Sequence, residues 1–318
     1  MDISKIPKVE LHCHLDGIIN PEILENEVFF GLLKDFSLAD FKNLYPVKNY
    51  DEFWQWFAMV EELKRDPDLF VKLIPIHLQN LKKQNVHYTE VKYPAASIPN
   101  DRGAMLEKFQ KFKEVGRKQK DDDCQFEILV ALGRHRPLEA LQDWADKICV
   151  LFEEDLIVGV SLAGPEPGYP VKPLQKVFQK LKDRGMGITI HAGEWCGVEA
   201  IHDAMEYGYP DRLGHGLAVF KHPQLLDFFA EQKLHLEFCP TSNIITGCFQ
   251  HISEHPIKTA LDYGLNFSIN TDDPGVFNCS MDSEFQLVHD AFAFGEKDFN
   301  YIYDCSLQAA FRSQTAKK

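Results

Sequence analysis

Gly187-Ile188-Thr189-Ile190-His191-Ala192-Gly193-Glu194 is the stretch on which the fold turns. Its first half is β-branched and apolar, as a buried strand is, and its second half breaks into a histidine, two small residues and an acid. The same ending recurs along the chain. Val9-Glu10-Leu11 leads to His12-Cys13-His14, Arg212-Leu213-Gly214 leads to His215, and Phe267-Ser268-Ile269-Asn270 leads to Thr271-Asp272-Asp273. Residues so far apart in sequence converge when parallel strands close into a barrel and present their C-terminal ends on one face.

Working outward, apolar runs bounded by glycine, proline or acidic turns predict strands over 8–14, 86–93, 125–132, 157–162, 186–191, 212–215, 234–239 and 265–271. Most intervening segments carry helical periodicity; in 173–184, Leu174, Val177, Phe178 and Leu181 share a face and Gly185 supplies the stop. Strand and helix alternating in this way predict an α/β chain folded as a (β/α)8 TIM barrel, since each parallel return needs a crossover. The 318 residues suit one such domain, 1–318. One connection is long: about 17–85 forms an insertion rich in aromatics, among them Phe29, Phe30, Phe53, Trp54 and Trp56. Too apolar for a flexible loop, it is expected to fold as a helical lid over the barrel mouth or as extra core.

Composition narrows the function. A formal net charge of -14 without any basic run argues against nucleic acid as a partner. The eight cysteines are scattered singly, with no Cys-x-x-Cys, which fits neither a zinc ribbon nor a disulfide scaffold. No stretch has the length and apolarity of a membrane span, and the N-terminus lacks a signal-like apolar segment, so a soluble cytoplasmic protein is expected. Oligomeric state is left open.

Three histidines and a carboxylate at strand ends suit a borderline divalent metal, zinc above all. His12 and His14, two apart on a strand, face the barrel interior while Cys13 faces the helices. With His191 and Asp272 they make the donor set for one Zn2+ per chain; the fourth strand ends in Ser161-Leu162-Ala163-Gly164, with no lysine to bridge a second ion. Such an ion makes water ionisable near neutral pH. Glu194, His215 and Asp273 are left for proton transfer and charge stabilisation. Each has a plainer alternative: a helix cap for Glu194, a satisfied core histidine for His215, a turn and cap for the Asp272-Asp273 pair.

Taken in order, Val9-Glu10-Leu11-His12-Cys13-His14-Leu15-Asp16-Gly17, Ser161-Leu162-Ala163-Gly164, His191-Ala192-Gly193-Glu194, Arg212-Leu213-Gly214-His215-Gly216, Cys239-Pro240-Thr241-Ser242-Asn243 and Asn270-Thr271-Asp272-Asp273-Pro274 give the chain its family likeness. It resembles the adenosine deaminase family of the amidohydrolase superfamily over essentially its whole length. The resemblance implies hydrolytic removal of the 6-amino group of a purine nucleoside, adenosine or 2′-deoxyadenosine first. It implies Glu194 as proton donor to ring N1, with His215 and Asp273 orienting and deprotonating the attacking water. The implied substrate wall comprises His14, Asp16 at the ribose 5′-hydroxyl, the Gly164 N–H at N3, Asp273 at N7, and an apolar gate of Phe53 and Trp54.

The chain departs from the family pattern at Ser161, at Pro165, and at Lys92-Tyr93-Pro94, where Arg-Tyr-Ser is usual. These departures bear on the substrate, so adenine or a modified aminopurine stays open beside the nucleoside. From another class, a catalytically silent nucleoside- or partner-binding relative also stays open, although intact Glu194, His215 and Asp273 count against it.

Overall fold

The computed structural model describes residues 1–29, 36–64, 66, 68–118 and 124–312, so Phe30 of the insertion lies outside the described residues. Among them, eight parallel strands run in chain order around one sheet: β1 (Lys8–His14), β2 (Val86–Pro94), β3 (Gln125–Gly133), β4 (Gly159–Ala163), β5 (Gly187–Ala192), β6 (Arg212–His215), β7 (His235–Phe238) and β8 (Phe267–Ile269). The ring closes between β8 and β1, where the Asp272 N–H donates to the His12 carbonyl at 2.9 Å and the His14 N–H to the Asp272 carbonyl at 2.7 Å. This is the (β/α)8 barrel that the strand pattern predicts.

The largest departure from the expected strand ends is at β8, which stops at Ile269 instead of running to Thr271. Just beyond, Asp272 has φ 61°, in the left-handed region, yet still bridges to Cys13 of β1.

The region between β1 and β2 divides by packing. Helix Leu69–Lys83 lies against β2 and against helix Arg102–Lys118, as the crossover of a barrel wall does. Over the mouth, helix Tyr50–Leu63 starts where the Asn49 side chain accepts from the Glu52 N–H at 3.0 Å, with Asp51 and Glu52 in its first turn. Phe53, Trp56, Val60 and Leu63 recur at helical spacing and are buried. Trp56 packs on Phe41 with ring centroids 3.7 Å apart, and Phe53 stacks on Phe277. No helix among the described residues is long and apolar enough to cross a membrane.

Candidate active site

At the C-terminal mouth the strand ends bring four imidazoles together. The His12 ring centroid lies 4.5 Å from that of His191, 4.9 Å from that of His215 and 5.5 Å from that of His14. Asp272 joins them, its Oδ1 3.1 Å from His12 Nε2 and 3.4 Å from His14 Nε2. His12 Nε2 and Asp272 Oδ1 are both buried without a hydrogen bond. Leaving such groups unpaired costs roughly 1–3 kcal/mol each, which a bound cation would offset. Burial, then the charge of Lys92, holds His14 and His191 well below the usual imidazole range, so both stay neutral and able to ligate. Burial opposes ionisation of Asp272, but the flanking His12, with His215 and His14, outweighs it and keeps this carboxylate low. The neutral imidazoles of His14 and His191, with His12 and an ionised carboxylate around one point, fit a divalent ion of the zinc type.

Close packing of the rings depends on a missing side chain. A Cβ on Gly214 would come within 2.9 Å of both the His12 and the His191 rings. His215 itself sits at φ 60°, so two residues of the mouth, His215 and Asp272, hold the left-handed conformation that costs non-glycine residues about 1–3 kcal/mol.

The three groups outside the metal set converge too. Glu194 Oε2 is 3.4 Å from His215 Nε2, and His191, Glu194 and His215 form one tight cluster. Burial, then the negative charges of Asp272 and Glu166, pushes Glu194 well above the carboxylate range, the direction that favours its protonated form. Asp273 is pushed up likewise, by burial and then by Asp272. The helix-cap alternatives find no support here. Asp273 makes no side-chain cap on helix Pro274–Phe277, and helix Val198–Gly208 begins at Gly197 without Glu194.

Sequence reasoning missed the residues that hold these in place. Glu166 is one: its carboxylate accepts from the N–H groups of Gly193, Glu194, Trp195 and Cys196 at 2.5–3.1 Å, fixing the turn that aims Glu194. Beneath the mouth, Glu237 Oε2 accepts from His12 Nδ1 at 2.7 Å while Oε1 accepts from Arg212 Nε at 2.7 Å and Thr189 Oγ1 at 2.9 Å. This sets the His12 tautomer with Nε2 left for a metal. Ser242 Oγ donates to Asp272 Oδ2 at 2.8 Å, and Glu10 accepts from both the N–H and the hydroxyl of Thr271. The available signal was an acid inside an apolar strand, Glu237 between Leu236 and Phe238 and Glu10 between Val9 and Leu11.

Except for His12, which lies beneath, all the residues expected at the site line one cavity of about 450 Å³, Asp16, Phe53, Trp54 and Gly164 included. That volume is in the range that encloses a drug-sized ligand. Phe57 and Trp144 extend its aromatic wall. Tyr50 of helix Tyr50–Leu63 meets Trp195, beside Glu194, edge to face at 5.1 Å. Asp16 is not free: Lys64, at the end of helix Tyr50–Leu63, places Nζ 2.6 Å from its Oδ2. Of the departures from the family pattern, Pro94 lines the cavity and Ser161 and Pro165 do not. Lys92 is buried below it, with Nζ 3.4 Å from both His191 Nε2 and Glu237 Oε2.

Residues 7–318 match the family model described as adenosine deaminase. An adenine deaminase of Rhizobium leguminosarum bv. trifolii is 29% identical over 315 residues, covering 98% of this chain and 97% of that one. An adenosine deaminase of Clostridium acetobutylicum is also 29% identical, over 99% of this chain and 96% of its own. Among solved structures, Arabidopsis ADAL complexed with IMP superposes with a TM-score of 0.85 at 23% identity, covering 99% of this chain and 95% of the other. With the barrel, the strand-end histidines and a family match that spans nearly its full length, the chain belongs to the adenosine deaminase family, hydrolytic deaminases that break C–N bonds.

Proposed function

We propose that the chain converts a 6-aminopurine nucleoside, adenosine or 2′-deoxyadenosine first, to its 6-oxo form, water adding at C6 and ammonia leaving. His12, His14, His191 and Asp272 would hold one zinc ion. When bound, the ion supplies Lewis acidity and makes water ionisable near neutral pH. The protein's own groups do the rest. Glu194, whose proton affinity burial raises, donates to ring N1, which relieves the aromatic resistance of C6 to attack. Asp273, in its ionised form, takes the proton of the attacking water and then meets N7; His215 orients that water. The Gly164 N–H meets N3, and Phe53 and Trp54 close the aromatic wall against solvent. We read residues 1–318 as one barrel domain in which the helices over the mouth act as the lid.

The observation that carries the nucleoside is Asp16. Beside the aromatic side chains Phe53, Trp54 and Phe57 of the cavity wall, its carboxylate is a fixed acceptor for a sugar hydroxyl, a partner that free adenine cannot offer. One observation favours a second reading. The Lys64 ammonium neutralises Asp16, and Arg136 and His135 line the same cavity, so the repulsion expected between Asp16 and a 5′-phosphate is weakened. The Arabidopsis relative holds a nucleotide, IMP. Ammonia release from adenosine, 2′-deoxyadenosine, adenine, AMP and N6-methyl-AMP in matched assays decides. Adenosine should give the highest kcat/KM, and a phosphorylated purine or free adenine in first place would overturn the assignment.

A further inference from the structure

Behind His215 runs a chain of buried hydrogen bonds whose polarity is fixed at its far end. The Ile257 backbone N–H donates to His255 Nδ1 at 3.2 Å. A backbone N–H has no other role, so Nδ1 of His255 must offer its lone pair. Burial keeps this ring neutral, and it is wedged edge-on between Phe238 and Phe249, with centroids 5.2 and 5.3 Å away. Its single proton therefore sits on Nε2, which faces Asn243 Oδ1 at 3.3 Å. That contact orients the amide: its oxygen points to His255 and its NH2 to His215 Nδ1, 3.1 Å away. The assignment of an amide's oxygen and nitrogen is here dictated by chemistry. The Asn243 backbone is anchored as well, its N–H donating to the Cys239 carbonyl at 2.9 Å and its carbonyl accepting from the Cys248 N–H at 2.8 Å.

An N–H aimed at His215 Nδ1 leaves that nitrogen only its lone pair. The ring's proton must then be on Nε2, an atom that has no hydrogen-bond partner in the protein and lies 3.4 Å from Glu194 Oε2. We propose that Asn243 and His255 are positioning residues that hold His215 as its Nε2–H tautomer, so that it meets the reacting oxygen as a donor and leaves proton acceptance to Asp273. Neither residue touches substrate; both act through the ring. The inference rests on the deaminase reading only in naming what the Nε2 proton meets.

The test reads the tautomer directly, in resting protein without substrate. Long-range proton–nitrogen correlation spectra of 15N-histidine-labelled protein, with the His215→Gln variant identifying the ring, should show Nε2 protonated and Nδ1 bare. Asn243→Asp offers only acceptor oxygens to His215, so the proton should move to Nδ1. Metal content and KM should stay within about threefold, while kcat falls by about a hundredfold or more, the scale of a wrongly presented imidazole. His255→Leu should lower kcat by about tenfold, and His255→Gln, whose amide can accept from Ile257 and donate to Asn243, should restore it to within about threefold. A proton on Nδ1 of His215 in the wild type overturns the proposal, as does a kcat loss in Asn243→Asp with the tautomer unchanged. If Asn243→Asp fails to fold, the wild-type spectrum and the Leu and Gln pair at position 255 still decide it. Absence of ammonia release from every purine would defeat the deaminase reading and leave the tautomer result standing.

Discussion

The floor and the roof of the cavity are built on opposite principles. The floor consists of strand ends whose polar groups are locked from below, as His12 is by Glu237, Asp272 by Ser242, and the Glu194 turn by Glu166. The roof, helix Tyr50–Leu63, meets the cavity with aromatic side chains and is tied down by ring contacts and by the Lys64–Asp16 pair. Hydrogen-bonded groups on a barrel rim hold a fixed geometry, which proton transfer and metal ligation require. Ring contacts are less directional and can adapt to what lies beneath them. Under the proposed function, the contrast puts chemistry on the floor and choice of substrate on the roof.

Removing a floor ligand should have the largest effect. Asp272→Ala deletes a donor and leaves His12 and His14 without their carboxylate, so metal content should fall well below one equivalent and kcat by about a thousandfold or more. Elemental analysis showing a full complement of metal in this variant would remove Asp272 from the donor set. Next comes Glu194→Gln, which keeps the shape and the ligands but cannot give up a proton. Metal content should match wild type while kcat drops by about a hundredfold. Unchanged kcat would return Glu194 to a structural role.

The division between floor and roof also separates what was legible in the sequence from what was not. His12, His14, His191, His215 and Asp272 could be read because each closes an apolar run, and the barrel is the topology that makes such endings meet. Glu166 could not: its task is to accept from backbone N–H groups on a different loop, a pairing with no local pattern. Lys64 escaped for the same reason, since nothing in its neighbourhood points to Asp16. Asn243 lay in plain view inside Cys239-Pro240-Thr241-Ser242-Asn243, yet its partner His255 approaches only through the fold. Within the region between β1 and β2, helix Leu69–Lys83 belongs to the barrel wall because its buried face meets β2, information that periodicity does not carry.

At the roof the effects should be smaller and fall on substrate choice. Asp16→Ala should reduce the preference for adenosine over adenine by roughly tenfold, the scale of one hydrogen bond to a charged group, with kcat for adenosine changing less than KM. Trp54→Ala, removing part of the aromatic wall, should raise KM by a few-fold with metal content unchanged. A kcat collapse in either variant would break the separation of floor from roof.

The smallest effect is expected in a floor residue that never meets the cavity. Glu284 holds the Thr241 N–H at 3.0 Å, at the start of helix Pro240–Ile245 that carries Ser242 and Asn243. Burial pushes its carboxyl up to about 7 from the usual 4.5. The folded state therefore holds this proton more tightly than the unfolded chain does. Its contribution to stability is fully present below about pH 4.5 and is lost as pH rises through about 7, an effect of at most about 3 kcal/mol. Glu284→Gln keeps an acceptor for Thr241 and cannot ionise, so this loss should vanish. In urea titrations at pH 5 and pH 8 the wild type should lose more stability across the interval than the variant, by about 2–3 kcal/mol, while kcat at pH 7 stays within about twofold. Parallel losses in the two proteins would mean that Glu284 is already ionised in the folded state and that the Thr241 contact is an ordinary carboxylate cap. A large drop in kcat would instead tie this buried carboxyl to the geometry of Ser242 and Asn243, and so extend the rigid floor outward from the strand ends to helix Met281–Phe292, which carries Glu284.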